Sequence, residues 1–334
     1  MNVFVSIPQN TEVNRSFFPE WIRDYLAERC DVKYSPLDRQ IVPEEMVQYA
    51  ADADVIITGW GHPTITKEMI AKTNVHLVVH TGGSVGSLID PDIYDIGVRV
   101  ISGNDLYADS VAEGTLAFMM AMLRQIPDYV DNIRNGGWNF QENCTEGLYN
   151  QRIGIVGFGA ISKRVVQLLR PFNVNIKIYS GYPIDEQFLH DNNAKQVTLD
   201  ELFSTCRIVS LHSSMNEKNR GLIGKEHFER MENGAIFINT ARGAVVREEE
   251  MIEELKKQRI RAVLDVFCQE PLPVNSPLRR LPNVYCIPHK AGPTYDRRAF
   301  VTKCLIDDIV RFENKDDLSL EIKKEYSKRM TVGG

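Results

Sequence analysis

Apolar residues fall along this chain in short β-branched runs, and between them lie longer segments where apolar positions recur every three or four residues. Runs of the first kind read as buried strands and segments of the second kind as amphipathic helices, so the alternation predicts parallel sheets with crossover helices. In the first part the predicted strands are residues 3–7 (VFVSI), 55–58 (VIIT), 76–80 (HLVVH) and 98–102 (VRVIS), with helical segments between them such as 17–30 (FFPEWIRDYLAERC). The pattern restarts at 152–157 (RIGIVG) and continues through 175–180, 207–212, 234–240, 261–267 and 284–289. Between the two series, 109–135 (DSVAEGTLAFMMAMLRQIPDYVDNIRN) predicts a long helix interrupted near Pro127, and a last helix is expected over about 296–312. The fold class is α/β with two sheets, and the charged stretch 313–330 reads as a solvated face.

At 334 residues the chain can bury two cores. With 39 basic against 45 acidic residues, its net charge of -6 disfavours nucleic acid as a partner and points to a small molecule. Cys30, Cys144, Cys206, Cys268, Cys286 and Cys304 lack any paired spacing, which suits neither a zinc site nor a disulfide framework, and no metal is expected. The N-terminal residues lack a basic segment followed by a long apolar one, and the longest apolar run, 115–123, is far short of the roughly 20 residues that span a bilayer. A cytoplasmic location without membrane association is expected.

The stretch IGIVGFGAIS (153–162) carries a dinucleotide-binding turn. Gly157 and Gly159 hold the first two glycine positions, Ala160 and Ile161 open the following helix, and Ser162 takes the third position. Such a turn lets backbone amides approach a pyrophosphate at a helix N-terminus. The next strand ends at Ser180, where an acid would ordinarily hold the adenosine ribose, and no cation follows before Lys195. NAD is narrowly preferred, with NADP open.

Five separated motifs, GIVGFGAIS, SLHSSMNEKNRGLIG, AIFINTARGAVVREEEMIEEL, LDVFCQEPLP and IPHKAGPT, together with SVAEGTLAFMMAMLR, resemble the D-isomer-specific 2-hydroxyacid dehydrogenase family over most of 110–294. The resemblance implies a Rossmann dinucleotide-binding domain (104–297) inserted into a smaller flavodoxin-like substrate domain (1–103 and 298–334). It implies an oxidoreductase transferring hydride between NAD(P) and a 2-hydroxy or 2-keto acid, either glyoxylate/hydroxypyruvate-like or phosphoglycerate-like. Arg242 matches the arginine that grips the substrate carboxylate, His289 the acid/base histidine, and Glu270 the carboxylate that orients it. Asp265 matches a residue near the nicotinamide, while His212, Thr240 and Ala241 fall at cofactor-lining positions. A buried polar role for His212 competes with that reading. In the first part, Gly82, Gly83 and Ser84 match a loop whose amides hold the substrate carboxylate, and Tyr107 departs from the usual wording of its motif. The segment 124–150, with NGGWNF, is similar to the family's dimer arm, so a homodimer is expected. A formate or phosphite dehydrogenase is less expected, because the Arg242, Glu270 and His289 set suits carbonyl protonation. A non-catalytic NAD-sensing interaction module of the same fold is the alternative, since fold alone does not fix function.

Overall fold

The computed structural model describes residues 1–138 and 145–331; Cys144 and the Asn139–Phe140 part of the expected dimer arm lie outside them. The chain divides into two compact units, Met1–Tyr107 with Pro293–Gly334 and Ala108–Gly292.

The first unit holds a five-stranded parallel sheet of β1 (Asn2–Val5), β2 (Asp31–Tyr34), β3 (Val55–Thr58), β4 (Leu77–His80) and β5 (Arg99–Ser102), in the order β2-β1-β3-β4-β5. Alternate residues of each inner strand serve opposite faces. Val3, Val5, Ile57, Val79 and Ile101 pack with Phe17, Ile22 and Leu26 and with Leu305 and Ile309 of the helix Tyr295–Asn314. Phe4, Ile56, Val78 and Val100 pack on the other face with Met46, Ile70 and Ile93. A sheet covered on both faces needs strands that are apolar at every position, and β3 and β4 are buried throughout.

The second unit is a seven-stranded parallel sheet of β6 (Arg152–Val156), β7 (Asn175–Tyr179), β8 (Ala194–Gln196), β9 (Ile208–Leu211), β10 (Ile236–Asn239), β11 (Arg261–Leu264) and β12 (Val284–Cys286). Its order, β12-β11-β10-β9-β6-β7-β8, reverses between β6 and β9, which is the doubly wound arrangement of a Rossmann domain. Ile153, Ile155, Ile178 and Ile238 face one core, and Val156, Leu211, Phe237 and Leu264 face the other.

Three local expectations need correction. Strands β2 and β8 escape the hydrophobic pattern: β2 alternates exposed and half-buried residues and β8 spans three residues, none fully buried. The segment 17–30 is not one helix; Glu12–Phe17 and Glu20–Ala27 are separated by Phe18 and Pro19, and proline at that point cannot continue the first helix. The expected interruption of the long helix near Pro127 is present: it comes at Gln125, whose φ is 51°, and Pro127 lies in the first turn of the helix Ile126–Arg134. The stretch 313–330 is more than a solvated face: Ile322 and Met330 are buried in the first unit's core, Ile322 donates to the Val100 carbonyl, and Glu321 pairs with Arg99. Among the described residues no helix is long and apolar enough to cross a membrane.

Candidate active site

In the second unit the loops at the carboxyl ends of the strands carry the predicted residues, the end of an α/β sheet where ligands bind. Gly157 follows β6 with φ of 97°, and a Cβ on it would stand 2.7 Å from the Ser213 backbone nitrogen. Only glycine suits that position. A Cβ on Gly159, by contrast, would meet nothing within 4 Å, and Gly159 caps the helix Ala160–Leu169 without any side-chain bond to its first amides. Free amides beside open space are what a pyrophosphate requires, so this turn fits a dinucleotide. Ser162 is fully buried and its hydroxyl donates to the Gly157 carbonyl at 2.8 Å, bracing the turn that a third glycine would merely leave room for.

Ser180 lies directly after β7 and its hydroxyl accepts from the Tyr182 amide at 3.1 Å. A cation that the sequence order conceals stands beside it: Lys218, from the loop after β9, brings its Nζ 4.0 Å from a Cβ position on Gly181 and 5.8 Å from the centre of the Tyr182 ring. His212 is buried at the end of β9, with Nε2 bonded to the Ser210 hydroxyl at 2.9 Å and Nδ1 left without a partner. Burial pushes it down to about 4, so it is neutral. Thr240 and Ala241 are also buried, and the Thr240 hydroxyl lies 3.3 Å from that of Thr115.

Arg242, Glu270, His289 and Asp265 come from the loops after β10, β11 and β12. The Arg242 Nη1 donates to the Ala241 carbonyl at 2.7 Å, and its Nε is buried without a partner. Burial holds this guanidinium below its ordinary value, partly offset by the charge of Glu270. A desolvated cation without a direct carboxylate partner is costly to keep and ready to take an incoming anion. Gly243 explains how its loop reaches that place: a Cβ there would overlap the Phe267 carbonyl carbon and the Cys268 nitrogen. Gly243→Ala should therefore cost about 2 kcal/mol of stability or more through backbone displacement, measurable as a lowered urea midpoint.

Glu270 accepts from the Phe267 amide at 3.0 Å through one oxygen and from His289 Nδ1 at 2.7 Å through the other. Because the carboxylate can only accept, Nδ1 carries the proton, and Nε2 is the nitrogen left to exchange one. His289 sits at φ of 53° with its side chain 47% exposed. Asp265 holds it there: its two carboxylate oxygens accept from the Lys290 amide at 2.6 Å and the Ala291 amide at 2.9 Å, and its carbonyl accepts from the His289 amide at 2.9 Å. Burial raises the Asp265 carboxyl despite these bonds. The bonds identify a positioning function for Asp265 that the motif did not reveal.

In the first unit Gly82, Gly83 and Ser84 follow β4. Ser84 donates through its hydroxyl to the Thr331 carbonyl at 2.8 Å, and the Gly83 carbonyl accepts from Ser102 at 2.8 Å. The amides of Gly82, Gly83, Ser84 and Val85 donate to none of the described residues. Tyr107 packs over Gly83 and donates to the Thr81 carbonyl at 2.8 Å.

Residues 116–291 match the model of the D-isomer specific 2-hydroxyacid dehydrogenase, NAD binding domain. The chain belongs to that family. As a 2-hydroxyacid dehydrogenase family member it is an oxidoreductase, and its second unit contains the NAD-binding domain. It is 30% identical over 278 residues to the glyoxylate reductase/hydroxypyruvate reductase of Mus musculus, covering 81% of this chain and 84% of that one. It is 32% identical over 257 residues to the D-3-phosphoglycerate dehydrogenase of Methanocaldococcus jannaschii, matching 76% of this chain and about half (48%) of that longer protein. An acyclic imino acid reductase solved with NADPH and D-Arg has the same fold, with a TM-score of 0.80 at 23% identity over 97% of this chain and 100% of that one.

Proposed function

We propose that this 2-hydroxyacid dehydrogenase transfers hydride between NAD(P) and a small 2-hydroxy or 2-keto acid, with Arg242 and His289 as its catalytic residues. The observation that carries this reading is the His289–Glu270 relay beside a buried guanidinium short of partners. Arg242 would take the substrate carboxylate through two parallel hydrogen bonds. His289 Nε2 would donate a proton to the carbonyl oxygen in reduction and remove it in oxidation, and Glu270, accepting from Nδ1, would hold the ring in the orientation that leaves Nε2 free to do so. Gly157, Gly159, Ala160 and Ile161 would hold the pyrophosphate of NAD(P), Ser180 would stand at its adenosine ribose, and His212, Thr240 and Ala241 would line its cleft, with Asp265 toward the nicotinamide end that would supply or accept the hydride. The first unit, Met1–Tyr107 with Pro293–Gly334, would act as the substrate domain expected over 1–103 and 298–334, the Gly82, Gly83 and Ser84 amides taking a carboxylate oxygen. A cytoplasmic homodimer completes the reading.

A panel of 2-keto acids tested with NADH and NADPH tests it. Turnover of at least one acid is expected, while cofactor binding without turnover of any acid would favour the sensing module. Lys218 is placed to meet a ribose phosphate where no acid repels one. Lys218→Ala is expected to raise the KM for NADPH about fivefold to tenfold and to leave that for NADH within about twofold, as expected for one exposed charge-assisted contact.

A further inference from the structure

The loop after β4 is fixed through its carbonyls. The Thr81 carbonyl accepts from the Tyr107 hydroxyl at 2.8 Å and the Gly83 carbonyl from the Ser102 hydroxyl at 2.8 Å. Between them, the Gly82 carbonyl accepts from the Gly103 amide at 2.9 Å, a donor shared with the His80 carbonyl at 3.1 Å. All of these donors belong to one stretch, the end of β5 and the start of the helix Asn104–Leu123, so successive carbonyls of the loop are drawn toward the same side. The peptides are trans, and in a planar trans peptide the N–H points opposite to the C=O. The peptides holding those carbonyls carry the amides of Gly82, Gly83 and Ser84, which are therefore turned together away from β5. None of these amides has an acceptor among the described residues.

Backbone amides without acceptors are costly, and a loop free to move would turn them toward its own carbonyls or water. Gly82 and Gly83 have no side chains to anchor them, so the donors at 102–107 are the restraint. Tyr107 is seated for that task. Its ring lies between two glycines, 3.7 Å from a Cβ position on Gly83 and 3.0 Å from one on Gly103, and it packs edge-on to Trp60 at 6.3 Å. Burial pushes its hydroxyl up, so the phenol keeps the proton it donates. Ser102 is buried, and its hydroxyl, with its single proton directed to Gly83, accepts from the Asn104 amide at 3.3 Å. At the far end of the loop the Ser84 hydroxyl donates to the Thr331 carbonyl, and a Cβ on Gly86 would stand 2.5 Å from that same oxygen.

We infer that Tyr107 and Ser102 are positioning residues of this loop: their hydroxyls hold the Thr81 and Gly83 carbonyls so that the Gly82 and Ser84 amides already face an incoming carboxylate before it binds. Without either hydroxyl the peptide it holds can rotate. The loop must then be ordered at the moment of binding, a cost that falls on affinity and leaves the chemical step unchanged.

This inference rests on the reading of the loop as the carboxylate site and deepens it. Tyr107→Phe keeps the ring and loses one hydrogen bond; Ser102→Ala does the same with little change of volume. Each is expected to raise the KM for the best keto acid about fivefold, the effect of one neutral hydrogen bond, with kcat and the KM for NADH within about twofold. Ser102→Thr keeps the hydroxyl and should hold the KM within about twofold of the unmodified protein. A KM unchanged in both Tyr107→Phe and Ser102→Ala, whatever the thermal midpoint does, would make the hydroxyls structural and overturn the inference. Tyr107→Phe decides alone should Ser102→Ala fail to fold.

Hydrogen exchange over residues 81–86, measured with NAD and with or without oxalate, reads the same amides without turnover, because a bound carboxylate gives them an acceptor and slows their exchange. Slowing in the unmodified protein that is weaker in Tyr107→Phe, in a chain that turns over no keto acid, supports the positioning role and sinks the dehydrogenase proposal instead. No slowing in the unmodified protein overturns this inference together with the carboxylate reading of the loop.

Discussion

Arg242→Ala is expected to lower kcat/KM for the best keto acid about 1000-fold while NADH still binds. Two charge-assisted hydrogen bonds to a carboxylate contribute about 1.5 to 3 kcal/mol each, and about 1.4 kcal/mol is a factor of ten in rate. Arg242→Lys should recover little, because an ammonium cannot make the paired contact. The stability of the alanine variant should move the other way. The guanidinium is desolvated, bonded through Nη1 to the adjacent carbonyl, and buried at Nε without a partner. Removing it relieves that cost, so the thermal midpoint should be unchanged or higher. A variant that loses activity and unfolds at markedly lower temperature would show Arg242 to be a structural residue instead.

How much of this could be read from the sequence depended on whether a residue's role follows from its neighbours in the chain. The inner strands were legible because burial on both faces leaves continuous β-branched runs such as VIIT, whereas β2 and β8 lie at edges and carry Asp31, Lys33 and Lys195. Gly157 and Gly159 were legible for the same reason: the turn, its strand and its helix are contiguous. Arg242, Glu270 and His289 lie on three loops, and only the resemblance connected them. The sequence offered no signal for Lys218 beside Ser180, since the two lie on loops after β9 and β7, with β6 between those strands in the sheet. Asp265 was noticed for the cofactor, but its bonds to the Lys290 and Ala291 amides make it the residue that fixes the His289 turn.

His289→Ala should lower kcat about 1000-fold with a smaller change in KM, because the proton is transferred only as the transition state forms. Glu270→Gln separates orientation from charge. Glutamine can still accept from Nδ1 through its amide oxygen, but it carries no charge to set against that of the imidazolium formed in the proton transfer. Turnover should therefore fall about tenfold to a hundredfold while the KM for the keto acid changes little. Turnover unchanged in this variant would mean that Glu270 only braces the loop through the Phe267 amide, and the proton relay would have to be abandoned.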